Sequence, residues 1–343
     1  MSTTIAGKQV GPIGFGLMSN SLSPSSIQNK TLTPHLGLTR PPPLSHDTAS
    51  KVMKAALSKG ANFWNGGMFY GPPTANSLQL LHHYFTLHPS DAEKVVLSIK
   101  GCFSLAGGPD CSPEGIKTSI ETALKVLDGK KKIDIFEPAR IDPNFPIEEI
   151  VRSLKEYVES GDIGGIGLSE VNASTIRRAH AVFPISSVEI ELSLFTTEAT
   201  TNGVLETCAE LGIPVIAYSP LSRGWLTGAI KSLDDLPETD MRRIHLPRFQ
   251  PEAFEANKKL ADKVGEVASK KGVTVAQVAI AWVQAQGKGV VPIPGCTTVE
   301  RVDENLTVVE LSEGELEELE VLVKEIPVMG HRYMTQQQKY LNQ

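Results

Sequence analysis

The chain lacks the marks of several large protein classes. Nowhere in its 343 residues do about eighteen apolar residues run together, so no membrane-spanning helix is expected. The opening MSTTIAGKQV has neither the charged head nor the apolar stretch of a secretory signal, and a cytosolic location is the expectation. Cysteines are few and scattered, at Cys102, Cys111, Cys208 and Cys296. They form no C-x-x-C pair and have no histidine at metal-ligand spacing, which reads as buried or incidental thiols and no metal site. Basic residues are outnumbered, 33 Lys and Arg against 39 Asp and Glu, for a formal net charge of -6. No basic block is interleaved with aromatics, so neither a nucleic-acid nor a membrane partner is expected and the partner is read as a small molecule. No G-x-G-x-x-G follows a strand candidate, which counts against a Rossmann domain.

What is present is a repeat of one unit, a short apolar run rich in Val and Ile followed by a helical pattern. Strand candidates begin near Ile13 and continue at 62–66, 95–101, 133–139, 164–170, 188–193, 214–220 and 290–295. Runs that are apolar on both sides imply strands covered on both faces, hence a parallel sheet. Helix ends are announced by Asp47 and Gly60, by Ser112-Pro113 and Gly129, by Asn172, by Thr274, and by Ser312 with Glu315 as a capping box. Length alone allows one barrel-sized domain or two smaller ones. About eight βα units favour an α/β fold of the closed (β/α)8 TIM barrel type, a single domain over 1–343, rather than an open doubly wound sheet.

Two segments interrupt the rhythm. Residues 19–46, rich in Ser, Pro and Thr, form a long loop after the first strand, and 222–250 form another after the seventh. Each either lines a pocket at the active-site end of the barrel or is decorative. Residues 327–343 extend beyond the last helix, and the run Lys130-Lys131-Lys132 reads as a solvated turn.

The residues that end the strands carry a resemblance. GANFWNGGMFYG, from Gly60 to Gly71, is similar to the second-strand motif of the aldo-keto reductase superfamily, which usually reads NFFDTADVYG. VVLSIKG, IGGIGLSEVNASTIRRA, VEIELSLF, IPVIAYSPLSRGWLTG and VVPIPGCTTVERVDEN match further segments in order, so the resemblance covers nearly the whole chain. It places Tyr70 on the catalytic tyrosine, Lys100 on the catalytic lysine and Asn65 where an aspartate is usual. It implies reduction of an aldehyde to an alcohol with NADPH as cofactor. The chemistry needs a proton for the carbonyl oxygen as the nicotinamide delivers a hydride to carbon. A tyrosine of pKa about 10 becomes useful near neutrality only beside a cation such as lysine.

Two departures stand out. Asn65 removes one negative charge from beside the lysine, leaving Lys100 either more electropositive toward Tyr70 or more easily deprotonated. The fourth-strand motif, usually LHRVDP, reads IFEPARIDP, so Ala139 stands in the place of a histidine; Arg140 beside it, with an outward-pointing surface position as its alternative reading, is assigned no catalytic role. The FEPAR segment and the closing KYLN resemble the fungal pyridoxal reductases. Pyridoxal, with a hydroxyl beside its aldehyde and an electron-withdrawing ring, would need less help from the missing imidazole. A broad-specificity aldehyde or ketone reductase and a non-catalytic NADPH-sensing subunit, like the potassium-channel β subunits, are the alternatives.

For the cofactor, the resemblance sets Ser169 at the nicotinamide carboxamide, with Glu170 and Glu189 where an Asn and a Gln are usual. Tyr218 matches the ring that stacks on the nicotinamide, and Ser219, Leu221, Ser222 and Arg223 follow where the pyrophosphate is held. Gly295, Thr297, Arg301, Glu304 and Asn305 match the adenosine-phosphate clamp, with Arg301 as the grip on a 2'-phosphate and Glu304 toward the adenine amino group. Phe69, Phe103 and Trp225 are either pocket walls or packing.

Overall fold

The computed structural model describes residues 3–18, 44–72, 75–104 and 107–342. Most of the loop expected at 19–46 lies outside the described residues. A hairpin opens the chain, strand β1 (Thr3–Ile5) pairing antiparallel with β2 (Lys8–Val10). Its two-residue turn puts Ala6 at φ 49° and Gly7 at φ 76°, the doubly left-handed geometry that a tight hairpin requires.

Eight parallel strands follow in one sheet: β3 (Phe15–Gly16), β4 (Phe63–Gly67), β5 (Val96–Gly101), β8 (Ile135–Pro138), β9 (Ile166–Ser169), β10 (Ile185–Glu191), β11 (Val215–Tyr218) and β12 (Val290–Pro292). Between β5 and β8 a small antiparallel ribbon, β6 (Phe103–Ser104) with β7 (Gly108–Pro109), rises from the strand ends. Gly14 N donates to Pro292 O at 2.9 Å and Gly16 N to Pro294 O at 3.2 Å, joining the first barrel strand to the last. A Cβ on Gly16 would stand 2.9 Å from the Ile293 carbonyl oxygen, so the seam closes only because that side chain is absent. All eight strand candidates read from the sequence lie in this barrel.

Helices clothe the outside: α1 (His46–Ser58), α2 (Ser77–Leu87), α3 (Pro113–Leu127), α4 (Ile147–Glu159), α5 (Ala173–Val182), α6 (Val204–Leu211), α7 (Met241–His245), α8 (Pro251–Lys271), α9 (Val275–Ala285), α10 (Val299–Asn305), α11 (Glu313–Glu325) and the short α12 (Thr335–Gln338). The caps expected at Ser112, Asn172, Thr274 and Ser312 each accept a backbone N–H, the last two as capping boxes. The cap of α1 is a correction: Ser45 accepts from Thr48 N, while Asp47 lies in the first turn and meets His83. Lysine 131 is another correction. It is buried against Asp134 at 2.5 Å rather than solvated, because Asp134 also accepts the Leu97 N–H and needs a counter-charge there.

Apolar burial fills two shells. The larger lies between barrel and helices, where Trp64 packs against Phe15, Tyr84 and Phe85. The smaller lies inside the barrel at its amino-terminal end, where Ile5 and Val10 of the hairpin meet Phe63, Val96, Ile135, Ile216 and Val291. The hairpin therefore floors the barrel and leaves polar side chains for the opposite mouth. The expected loop at 222–250 is not irregular throughout: it contains α7 and short 3-10 turns at Ser222–Thr227, Leu233–Asp235 and Pro247–Phe249. Among the described residues no helix is long and apolar enough to cross a membrane.

Candidate active site

Side chains that point inward near the carboxyl ends of β4, β5, β8 and β10 form one buried polar cluster. Tyr70 follows β4 on a turn whose N–H donates to Gly67 O at 3.1 Å. A Cβ on Gly67 would fall 2.9 Å from the Tyr70 ring, so glycine there lets the phenol fold back over its own strand. The Tyr70 hydroxyl donates to Asn65 Oδ1 at 3.2 Å, and Asn65 Nδ2 donates to Glu189 Oε2 at 2.6 Å. The other oxygen of Glu189 takes Lys100 Nζ at 2.5 Å. The tyrosine, the lysine and Asn65 thus belong to one network, with Glu189 at its centre.

Two expectations change here. Asn65 does not leave the lysine without a carboxylate, because Glu189 supplies one from β10 and Glu137 Oε1 stands 4.0 Å away on β8. Both oxygens of Glu189 are used inside the network, so its acceptors face Lys100 and Asn65. Glu137, which the sequence reading passed over, is fully buried, and its Oε2 has no hydrogen-bond partner. Burial, with Glu189 alongside, pushes its carboxyl well above the usual carboxylate range. Burial also pushes the Tyr70 phenol upward, with the Lys100 cation opposing. Burial disfavours the Lys100 ammonium more than any single neighbour favours it, but Glu189, Tyr70 and Glu137 together outweigh burial and hold the lysine charged.

Above this cluster lies an arginine-rich layer. Glu170, left-handed at φ 56° just past β9, accepts Glu191 N and Tyr218 OH, each at 2.8 Å. Arg332, from the segment after α11, donates to both of its oxygens at 3.3 and 3.0 Å. Burial works against that charge, yet Arg332 and Arg140 hold the Glu170 carboxyl below its ordinary value. Its acceptors, like those of Glu189, are therefore taken by the chain itself. Tyr333 meets the Tyr218 hydroxyl at 2.9 Å and lies under the Arg223 guanidinium, 4.4 Å from ring centre. Lys100 Nζ stands 5.0 Å from the centre of the Tyr218 ring. Arg140 turns into the mouth, correcting the outward reading.

After β11 the backbone is left-handed at Ser219, Ser222, Arg223 and Gly224. Such conformations cost of order 1 kcal/mol or more for a non-glycine residue and gather at functional sites. Ser222 N is drawn to Ser219 O at 2.8 Å, and Gly224 N to Leu221 O at 3.0 Å. Arg223 extends from this turn to Glu191 at 3.5 Å and to the Arg332 carbonyl. After the neighbouring strand β12, Gly295 and Thr297 lead into α10, whose Thr298 caps Arg301 N at 3.3 Å. Arg301 pairs with Glu304, and Asn305 Oδ1 is buried with no donor in reach. An orphaned acceptor here suits an amino group such as that of adenine.

Phe69 packs edge-on against Tyr70 at 5.0 Å and tilted against Phe103 at 5.2 Å, so Phe69 flanks the phenol and Phe103 backs Phe69. Trp225 instead is core, 1% exposed and stacked between Phe195 and Phe249. The four cysteines are buried free thiols. Arg332 and Tyr333 sit in an extension without a periodic pattern, and only their proximity in space marks them.

A parallel eight-stranded barrel with a phenol, an ammonium and carboxyl groups at the carboxyl ends of its strands has the layout of a (β/α)8 barrel protein. The sequence pattern of the Aldo/keto reductase family matches residues 33–324, and the chain belongs to that family. It is similar to a Schizosaccharomyces pombe protein named "Probable pyridoxal reductase 2", 40% identical over 98% of this chain and 99% of the relative. A Glycine max protein named "Probable aldo-keto reductase 1" is 39% identical over 85% of this chain and 84% of its own. Among solved structures, the glycerol dehydrogenase AKR11B4 from Gluconobacter oxydans shares the fold, at TM-score 0.77 and 20% identity, over 96% of this chain and 97% of that one.

Proposed function

We propose that this chain is an NADPH-dependent reductase that converts an aldehyde, pyridoxal in the first instance, to its primary alcohol. The observation that carries the reading is the Tyr70, Asn65, Glu189 and Lys100 network in a family member 40% identical to a probable pyridoxal reductase. Residues that would hold the cofactor are Arg301, Glu304 and Asn305 with Gly295 and Thr297 at the adenosine end. Ser219, Leu221, Ser222 and Arg223 would meet the pyrophosphate, and Ser169 and Tyr218 the nicotinamide. Glu170 and Glu189 would act there through Tyr218 and Lys100, since their own oxygens are bound within the chain.

When bound, the reduced nicotinamide supplies the hydrogen and electron pair that the carbonyl carbon takes up. Tyr70 gives its phenolic proton to the carbonyl oxygen, one O–H bond breaking as the alcohol O–H forms, and water restores the proton afterwards. Burial keeps the phenol protonated until that moment, which suits an acid. Lys100, kept charged by Glu189, steadies the phenolate left behind. Asn65 fixes both, accepting from the phenol while donating to the carboxylate.

The test is loss of NADPH absorbance with purified full chain, offered pyridoxal, nitrobenzaldehyde and benzaldehyde. Pyridoxal should be turned over fastest, and Tyr70→Phe should lower kcat by about 10² to 10⁴. Equal rates on all three would move the reading to a broad-specificity reductase. Tight NADPH binding without turnover would replace it with a nucleotide-sensing role, for which the alanine at 139 is the favouring observation.

A further inference from the structure

Arg140 follows the alanine that stands in place of an imidazole, just past β8. Its Nη1 donates to the Ala139 carbonyl at 2.5 Å and reaches Ser169 Oγ only at 3.5 Å; its Nη2 reaches Tyr333 OH at 3.4 Å. The two longer contacts lie at the limit of hydrogen bonding, so donors remain for a better acceptor. The other cations of this layer are matched: Lys100 with Glu189, Arg332 with Glu170 and Arg223 with Glu191. Arg140 has no carboxylate within ion-pair distance among the described residues. Of the titratable groups around it, Tyr70, Tyr218 and Tyr333 are phenols, Glu170 is bonded through both oxygens to Arg332, and Glu137 is buried beside Lys100, the burial holding its carboxyl raised. A sheltered guanidinium with no ion pair of its own and donors left over suits a ligand that brings a strong acceptor.

We propose that Arg140 is a specificity-determining residue whose guanidinium receives the phenolate oxygen lying ortho to the substrate's aldehyde, together with the carbonyl oxygen beside it. An ortho pair presents two oxygens along one edge of an aromatic ring, in its plane. A guanidinium presents two parallel N–H donors in a planar fork, the matching shape. An imidazole offers one donor and would treat the ortho hydroxyl with indifference. The exchange of imidazole for fork thus turns a general carbonyl reductase site into one that selects aromatic aldehydes with an acidic ortho hydroxyl. The inference rests on the reductase reading above and narrows its substrate class.

Two measurements test it on the full chain. Without cofactor, titration with 2-hydroxybenzaldehyde at neutral pH should bring up the phenolate absorption band, and Arg140→Gln should weaken that binding by at least about tenfold, as for a site built around a lost charge-assisted bond. In turnover, the ratio of kcat/KM for 2-hydroxybenzaldehyde over 2-methoxybenzaldehyde should fall at least about tenfold in Arg140→Gln and be partly restored in Arg140→Lys, which keeps the charge and loses the fork. An unchanged ratio, or an equal fall for both aldehydes, overturns the proposal while leaving the reductase intact. Should the glutamine variant fail to fold, an undiminished ratio in Arg140→Lys overturns the fork. A wild type that shows the phenolate band but consumes no NADPH with any aldehyde overturns the reductase reading, while the band itself supports the anion site at Arg140.

Discussion

Asn65 and Glu189 face each other across the barrel, amide nitrogen to carboxylate oxygen at 2.6 Å, from strands β4 and β10 that are not neighbours in the sheet. The usual motif puts an aspartate on the first of these strands and a glutamine on the second. Here amide and acid have changed places, so the negative charge beside Lys100 has moved across the barrel. The cluster keeps its charge while the geometry of its donors is inverted.

Glu189→Gln should therefore destabilise the fold by about 3 kcal/mol, the lower end of what breaking a buried ion pair costs, because Glu137 stands near enough to ionise in compensation. Asn65→Asp added to it should recover more than half of the loss. Urea unfolding of the two single variants and the double one checks this. Additive losses would show that the two positions do not exchange one charge.

Stability should respond to pH through Glu137. Its folded-state pKa is raised above the ordinary 4.5, so the stability it contributes is complete below that value and is lost as pH rises toward the folded pKa. Glu137→Gln, which imitates the protonated form, should match the wild type near pH 4 and then gain on it by up to about 1.4 kcal/mol per pH unit. Unfolding curves from pH 4 to 8 measure the gap, and a gap that does not widen refutes it.

Arg332→Ala should strip Glu170 of its two charge-assisted bonds and leave a buried carboxylate without its ion-pair partner, at a cost of about 3 kcal/mol or more. Because Glu170 is held below its ordinary pKa, its contribution is present at neutral pH and fades as pH falls through the folded value. The variant's deficit should accordingly shrink in acid, as thermal melting at successive pH values would reveal.

Arg301→Ala should raise KM for NADPH by at least about tenfold and KM for NADH far less, since a guanidinium on a 2'-phosphate is a charge-assisted contact. Its bond to Glu304 makes the arginine costlier to recruit, so Glu304→Gln should tighten NADPH. Parallel kinetics with the two dinucleotides decide the matter, and equal changes in both would remove Arg301 from phosphate recognition.

The barrel was legible because its strands are apolar on both faces and its helices carry their own caps. Asn172, Thr274 and Ser312 are local signals, satisfied within three residues of themselves. The β1-β2 hairpin was missed because three-residue strands carry too little alternation to register. In the site, Tyr70 and Lys100 could be read from neighbouring strand ends. The partnership of Asn65 with Glu189 could not, since it joins residues 124 positions apart and depends on which side chains face inward at the same height. Lys131 misled for the same reason: a run of three lysines looks solvated until Asp134 is seen to need one of them. Arg332 and Tyr333 gave no sign at all, because their side chains meet residues at or just past the ends of β8, β9, β10 and β11, all remote in sequence.

The hairpin seals one pole of the barrel, and the segment bearing Arg332 and Tyr333 crosses the other. These two stretches, remote from each other in space, are both structural parts rather than loose ends. A circular permutant that joined them would have to run a linker along the full height of the molecule. A purification handle joined behind the segment of Arg332 and Tyr333 would hang beside the polar mouth of the barrel, whereas one joined ahead of the hairpin would hang beneath its floor, and only the second leaves that mouth undisturbed.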